Sequence, residues 1–136
     1  RRIVFDEFMK PLGVTRSQWW VLAHLSRHDG MIQSDLANLL DLGKAALGGL
    51  IDRLESAGVV ERRSDEIDRR AKRLYLSAKG VQLISEMRIQ SHEMSERMLQ
   101  GLDVASRRAL TNMLLHVKRN LIAIRDETGI TESADD

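Results

Sequence analysis

The residues best suited to chemistry in this chain are arginines. Residues 61–73 contain six bases (Arg62, Arg63, Arg69, Arg70, Lys72, Arg73) and four acids (Glu61, Asp65, Glu66, Asp68). Guanidinium groups on a short polar stretch suit a polyanion, because each presents a planar fork of donors to phosphate or base edges. Arginines on a projecting loop can enter a narrow A·T-rich minor groove, where negative potential is concentrated. Asp68, two residues before Arg70, is placed to fix that guanidinium before DNA arrives. Just upstream, Lys44, Ala45, Gly48, Gly49, Asp52 and Arg53 make an unusual outer helix face. Glycine inside a helix costs roughly 1 kcal/mol relative to alanine, so two in succession need a reason. Close approach of bare backbone to a major groove supplies one; a kink or a packing requirement supplies another.

Positioning these groups requires a particular order of elements. Val59–Arg63 and Arg73–Ser77 read as strands around the charged loop, giving a hairpin with a long tip. Before it, a short helix near Ser34–Leu40, the Asp41-Leu42-Gly43 turn and a helix over Lys44–Ala57 have the spacing of a helix-turn-helix. Leu47, Leu50, Ile51 and Leu54 form the inward face of the second helix. Ser34, opening the first helix, joins the DNA-facing set. Earlier still, Ile3, Val4, Phe5, Phe8 and Met9 form an apolar stripe that halts at Pro11. Thr15 and Gln18 predict a capping box opening a helix that ends at Asp29-Gly30. After Gly80 come a helix to about Gln100 and another, capped by Asp103, carrying Leu110, Leu114, Val117, Leu121 and Ile124.

The resulting fold class is mainly α with a small β-hairpin wing: a winged helix-turn-helix lobe (15–80) with N- and C-terminal helical dimerisation arms (1–12 and 81–125), in a single domain spanning 1–136. Residues 128–136 read as an acidic, flexible tail. The arm helices are too apolar for one small lobe to bury, so a homodimer is expected. A twofold dimer places two recognition helices about one DNA turn apart on a palindromic operator.

Bulk composition hides the basic surface. The 136 residues hold 21 Lys and Arg against 20 Asp and Glu, a net charge of +1. Five of the acids (Asp126, Glu127, Glu132, Asp135, Asp136) follow the last base, so residues 1–125 carry 21 bases against 15 acids. The absence of cysteine excludes disulfides, thiolate metal sites and thiol catalysis. No phosphate-binding glycine loop, apolar carboxylate pair or Ser–His–Asp arrangement stands out, so no catalytic residue and no cofactor is assigned. His24 and His28 have a helical chelate spacing, but His28 sits at a helix C-terminus, where the dipole favours it without a metal; no metal site is assigned. No apolar run reaches a membrane span, and a cytoplasmic location is expected. The chain opens Arg1-Arg2 with no methionine, which predicts further residues ahead of it in the full protein.

Leu50–Arg63 followed by Asp68-Arg69-Arg70-Ala71-Lys72-Arg73-Leu74-Tyr75-Leu76-Ser77-Ala78-Lys79-Gly80 resembles the multiple-antibiotic-resistance regulator (MarR) family, most closely its SlyA-type branch. Leu12–Leu22, with Trp19-Trp20, resembles that family's entry into the helix preceding the helix-turn-helix. The resemblance implies a homodimeric, ligand-responsive regulator of transcription, more often a repressor, with Lys44 opening the major-groove helix and Arg70 matching the minor-groove arginine. Many members carry Ser, Thr or Arg where this chain has Ala45, Gly48 and Gly49. Base reading then passes to Lys44, backbone groups and Arg53, or else to the wing and DNA shape. The expected DNA-facing set is Ser34, Lys44, Ala45, Gly48, Gly49, Arg53, Arg63, Asp68, Arg69, Arg70, Lys72 and Arg73. The resemblance also places small ligands between arm and lobe. Trp20 and His24, four apart on one face, suit a planar aromatic acid or its acyl conjugate, with Phe8, Met9 and Met31 as further wall; plain packing is the competing reading. The competing functions are a winged-helix module for protein contacts and a DNA-binding activator without an effector.

Overall fold

The computed structural model describes residues 2–128; the acidic segment 129–136 lies outside the described residues. Helix α1 (Arg2–Met9) stops where Pro11 cannot donate to the helix, and a 3-10 turn over Lys10–Leu12 follows. Helix α2 (Arg16–Leu25) opens on the expected capping box: the Gln18 amide donates to the Thr15 hydroxyl at 3.3 Å and the Thr15 amide to Gln18 Oε1 at 3.0 Å.

Helix α2 ends four residues before Asp29-Gly30, so that pair is not its cap. It instead starts a strand that the sequence does not announce, β1 (Met31–Ile32). The Gly30 amide donates to the Leu74 carbonyl at 2.8 Å and the Asp29 carboxylate accepts the Leu76 amide at 2.9 Å. Gly30 lies against an aromatic ring, since a Cβ there would sit 3.1 Å from Tyr75.

Helices α3 (Gln33–Leu40) and α4 (Lys44–Ser56) form the helix-turn-helix. The left-handed residue of its turn is Asp41 (φ 53°), while Gly43 is extended (φ −60°, ψ 144°). Strands β2 (Val60–Ser64) and β3 (Lys72–Leu76) pair antiparallel with Arg62 opposite Leu74, and the sheet order is β1-β3-β2. Helix α5 (Ala78–Met98) follows at once. Its first turn lies so close to the residue preceding β2 that a Cβ on Gly80 would come within 2.1 Å of the Val59 carbonyl oxygen, which only glycine permits.

The chain divides into two compact units, with the boundary between Glu93 and Met94. In the first, one apolar cluster joins Leu22 and Leu25 of α2, Leu36 of α3, Leu47, Ile51 and Leu54 of α4, Leu74 of β3 and Ile84 and Met87 of α5. That core fixes α4 by its inward face and leaves the other face outside. In the second unit α6 (Val104–Thr128) is capped by Asp103, whose carboxylate accepts the Ser106 amide at 2.8 Å. Arg107 ties its first turn back to Glu96 at 2.8 Å and to the Leu99 and Leu102 carbonyls. No residue of α6 is buried, and Leu114, Val117, Leu121 and Ile124 are all more than half exposed.

Candidate nucleic-acid interface

Helix α4 turns Leu47, Ile51 and Leu54 inward, so Lys44, Ala45 and Arg53 are exposed and Gly48 and Gly49 partly so. The side chains of Lys44 and Arg53 have no hydrogen-bonding or ionic partner among the described residues. The paired glycines are not required by packing. A Cβ on Gly49 would meet nothing within 4 Å, and one on Gly48 only Gln33 Nε2 at 3.8 Å. Helix α4 is unbroken through them, which removes the packing and kink explanations and leaves a bare outer face.

The wing tip is organised by Asp65, a residue absent from the sequence-based site. Its side chain is only 11% exposed. One carboxylate oxygen accepts the Ile67 and Asp68 amides at 3.2 and 2.9 Å, and the other accepts Arg73 Nε. The Asp68 amide first, and then the Arg73 guanidinium, hold the Asp65 carboxyl below its usual value, and Asp65 in turn raises Arg73. Arg73 completes the clamp by donating to the Gly30 carbonyl at 2.9 Å. Arg73 is therefore engaged within the protein, which is not the free DNA-facing base expected from sequence.

With the loop clamped, Arg69 and Arg70 stand at its tip. Asp68 accepts the Arg70 amide at 3.1 Å and lies 3.5 Å from Arg70 Nε. It shapes the backbone more than it grips the side chain, which remains 95% exposed with both Nη groups uncommitted among the described residues. Lys72 donates to Ser64 Oγ at 3.0 Å. Arg63 is on the other strand face, 2.9 Å from Glu61 and 4.4 Å over the Tyr75 ring. Ser34 of α3, Lys44 of α4, Arg70 of the wing loop and Lys72 of β3 line a single groove of about 190 Å³.

Arg62 behaves differently from the other wing bases. It shares a strand face with buried Val60, and its guanidinium turns back to Gln33, Gly48, Asp52 and Glu55. Strand alternation carried that signal, since residues two apart point the same way.

Trp20 and His24 come together as expected, with rings 5.4 Å apart and 29° between planes. His24 Nδ1 donates to the Trp20 carbonyl at 2.9 Å, leaving Nε2 as the ring's remaining polar atom. They line a cavity of about 300 Å³ with Ser17, Leu39, Leu40 and Leu42. Phe8, Met9 and Met31 are not on its wall: Met9 is fully buried, Phe8 is partly buried on α1, and Met31 packs against the core from β1.

A helix-turn-helix with an exposed second helix, followed by an arginine-tipped hairpin, defines a winged-helix DNA-binding protein. The chain matches the MarR family model over residues 12–71. It is 32% identical to a MarR transcriptional regulator from Methanosarcina mazei Go1, over 90% of this chain and 88% of that one, with a TM-score of 0.80. The chain belongs to the MarR family of DNA-binding transcription regulators, which are not enzymes. The transcriptional regulator SlyA (24% identity, 93% of this chain and 89% of that one, TM-score 0.77) shares the fold. So does wild-type apo MarR from E. coli (23% identity, 82% and 83%, TM-score 0.76). No described helix is long and apolar enough to cross a membrane.

Proposed function

We propose that this protein is a cytoplasmic repressor that binds a palindromic operator as a homodimer and is released by a small aromatic acid or acyl conjugate. The observation that carries the DNA-binding geometry is the shared groove of Ser34, Lys44, Arg70 and Lys72 beside the bare face of α4. In this reading α4 enters the major groove with Lys44, Ala45, Gly48, Gly49 and Arg53 toward the bases. Arg69 and Arg70 reach the adjacent minor groove, while Lys72 and Arg63 meet phosphates. Arg73 and Asp68 serve by holding the wing in shape.

Dimerisation is supported by the apolar residues that a single chain leaves uncovered: Ile3 and Val4 on α1, and Leu114, Val117, Leu121 and Ile124 on α6. These are the terminal arms (1–12 and 81–125) outside the 15–80 lobe, with Ile84 and Met87 also serving the lobe core. An effector wall at Trp20 and His24 is supported by their stacked rings beside three leucines, which suits a flat apolar body with one polar group.

The test is selection of bound duplexes from random DNA, followed by titration of the selected operator across a salt series. Recovery of a twofold-symmetric site and a steep fall of log affinity with log salt are expected. A flat salt dependence would reduce the protein to a protein-contact module. Repeating the titration with aromatic acids and their thioesters identifies the releasing class; release by none of them removes the effector from the proposal.

A further inference from the structure

Arg62 makes more internal hydrogen bonds than a surface base on a DNA-reading hairpin needs. Its amide donates to Glu55 Oε2 at 3.2 Å and its Nε to Gln33 Oε1 at 3.0 Å. Its Nη1 donates to Asp52 Oδ1 and, at 3.4 Å, to Glu55 Oε1, while Nη2 donates to the Gly48 carbonyl at 3.2 Å. All three guanidinium nitrogens are engaged, and the side chain is 21% exposed. The partners belong to the start of α3 and to α4 from its second turn to its last, whereas Arg62 itself belongs to β2.

We propose that Arg62 is a positioning residue for DNA recognition. It locks the wing to α4, setting the spacing between the group that reads the major groove and the group that reads the minor groove. It does not pair with phosphate. Asp52 and Glu55 surround it with two carboxylates, so an approaching phosphate would meet net negative charge there. The planar fork is essential, because it reaches Gln33, Gly48 and Asp52 at once, in three directions. A lysine ammonium keeps the charge but concentrates its donors at one point. Gly48 thereby has its carbonyl held by the wing while its other face stays bare.

The inference rests on α4 and the wing both touching DNA, so the experiment tests the two ideas separately. Full-length R62K, Q33A, the R62K/Q33A double variant, R62Q and R70A are compared with wild type for thermal stability. Each is then titrated with the selected operator and with a scrambled duplex across a salt series. R62K is expected to remain folded and lose about tenfold on the operator, equivalent to roughly 1.4 kcal/mol, with little change on the scrambled duplex. Q33A is expected to move the same ratio in the same direction, and the double variant to be no worse than R62K alone, because both act through one contact. R62Q should keep the wild-type salt slope.

An unchanged operator-to-scrambled ratio in R62K overturns the positioning role. Additive losses in the double variant, or a slope in R62Q shallower by about 0.9 per lost phosphate contact, overturn it too. If R62Q does not fold, R62K and Q33A still decide. Absence of wild-type binding defeats the interface reading itself, and wild-type binding by R70A removes the wing from it; wild-type behaviour of R62K beside a weakened R70A defeats only the role given to Arg62.

Discussion

Replacing Gly49 with alanine should stabilise the protein and weaken its grip on DNA, two effects of opposite sign from a single methyl group. In the free protein the new Cβ meets nothing within 4 Å, so no clash offsets the gain in helix propensity. That gain is about 0.8–1.0 kcal/mol per chain, which for a chain of this size raises Tm by roughly 3–5 °C. On DNA the same methyl is placed where helix backbone comes close to the groove. By analogy with an overfilled core it costs about 1–3 kcal/mol, or roughly five- to 150-fold in operator affinity. Gly48→Ala should behave alike, since its nearest neighbour would be Gln33 Nε2 at an ordinary 3.8 Å. Calorimetry on the free protein and fluorescence-anisotropy titration of a labelled operator read the two quantities independently. A raised Tm with unchanged or tighter operator binding would refute the placement of this face in the groove. A lowered Tm would refute the claim that packing does not need the glycines.

Arg70→Ala should weaken operator binding by about 1–3 kcal/mol while leaving Tm nearly unchanged, because the side chain is 95% exposed in the free protein; unchanged affinity at moderate salt would exclude the wing tip from the complex. Asp65→Asn should remove a pH-dependent stabilisation. The folded-state pKa of Asp65 is lowered from 3.8, so its contribution is complete above that value and is lost as pH falls through the lower, folded value. The Tm gap between wild type and Asp65→Asn should therefore be full at neutral pH and close in the acid range below about 3.8; a gap that persists undiminished at the acid end would remove the carboxylate from the wing's stability. Leu121→Asp puts a charge into the stripe of uncovered α6 residues and should yield monomers by light scattering, whereas a persistent dimer would mean that the interface lies elsewhere.

What could be read from the chain alone was whatever closes over a few residues. The Thr15–Gln18 capping box, the Asp103 cap and the inward face Leu47, Ile51 and Leu54 depend on neighbours three or four positions apart, and a sequence displays those directly. The cluster of bases at 61–73 was equally visible, as was its place after a helix-turn-helix. What each base does was not. Arg62 reaches Gln33 across 29 positions, Arg73 reaches the Gly30 carbonyl across 43, and Asp29 accepts the Leu76 amide across 47. Strand β1 exists only because β3 offers its edge to two residues with no pattern of their own. Trp20 and His24 are likewise separated by a turn and most of another helix from Leu39, Leu40 and Leu42, which line their cavity in place of Phe8, Met9 and Met31. Periodicity says which way a side chain points, but not what the fold will bring to meet it. The sequence therefore determined that this is a winged helix with a basic hairpin. Only the tertiary structure separated the arginines left facing outward, Arg69 and Arg70, from those that hold the wing in place, Arg62 and Arg73.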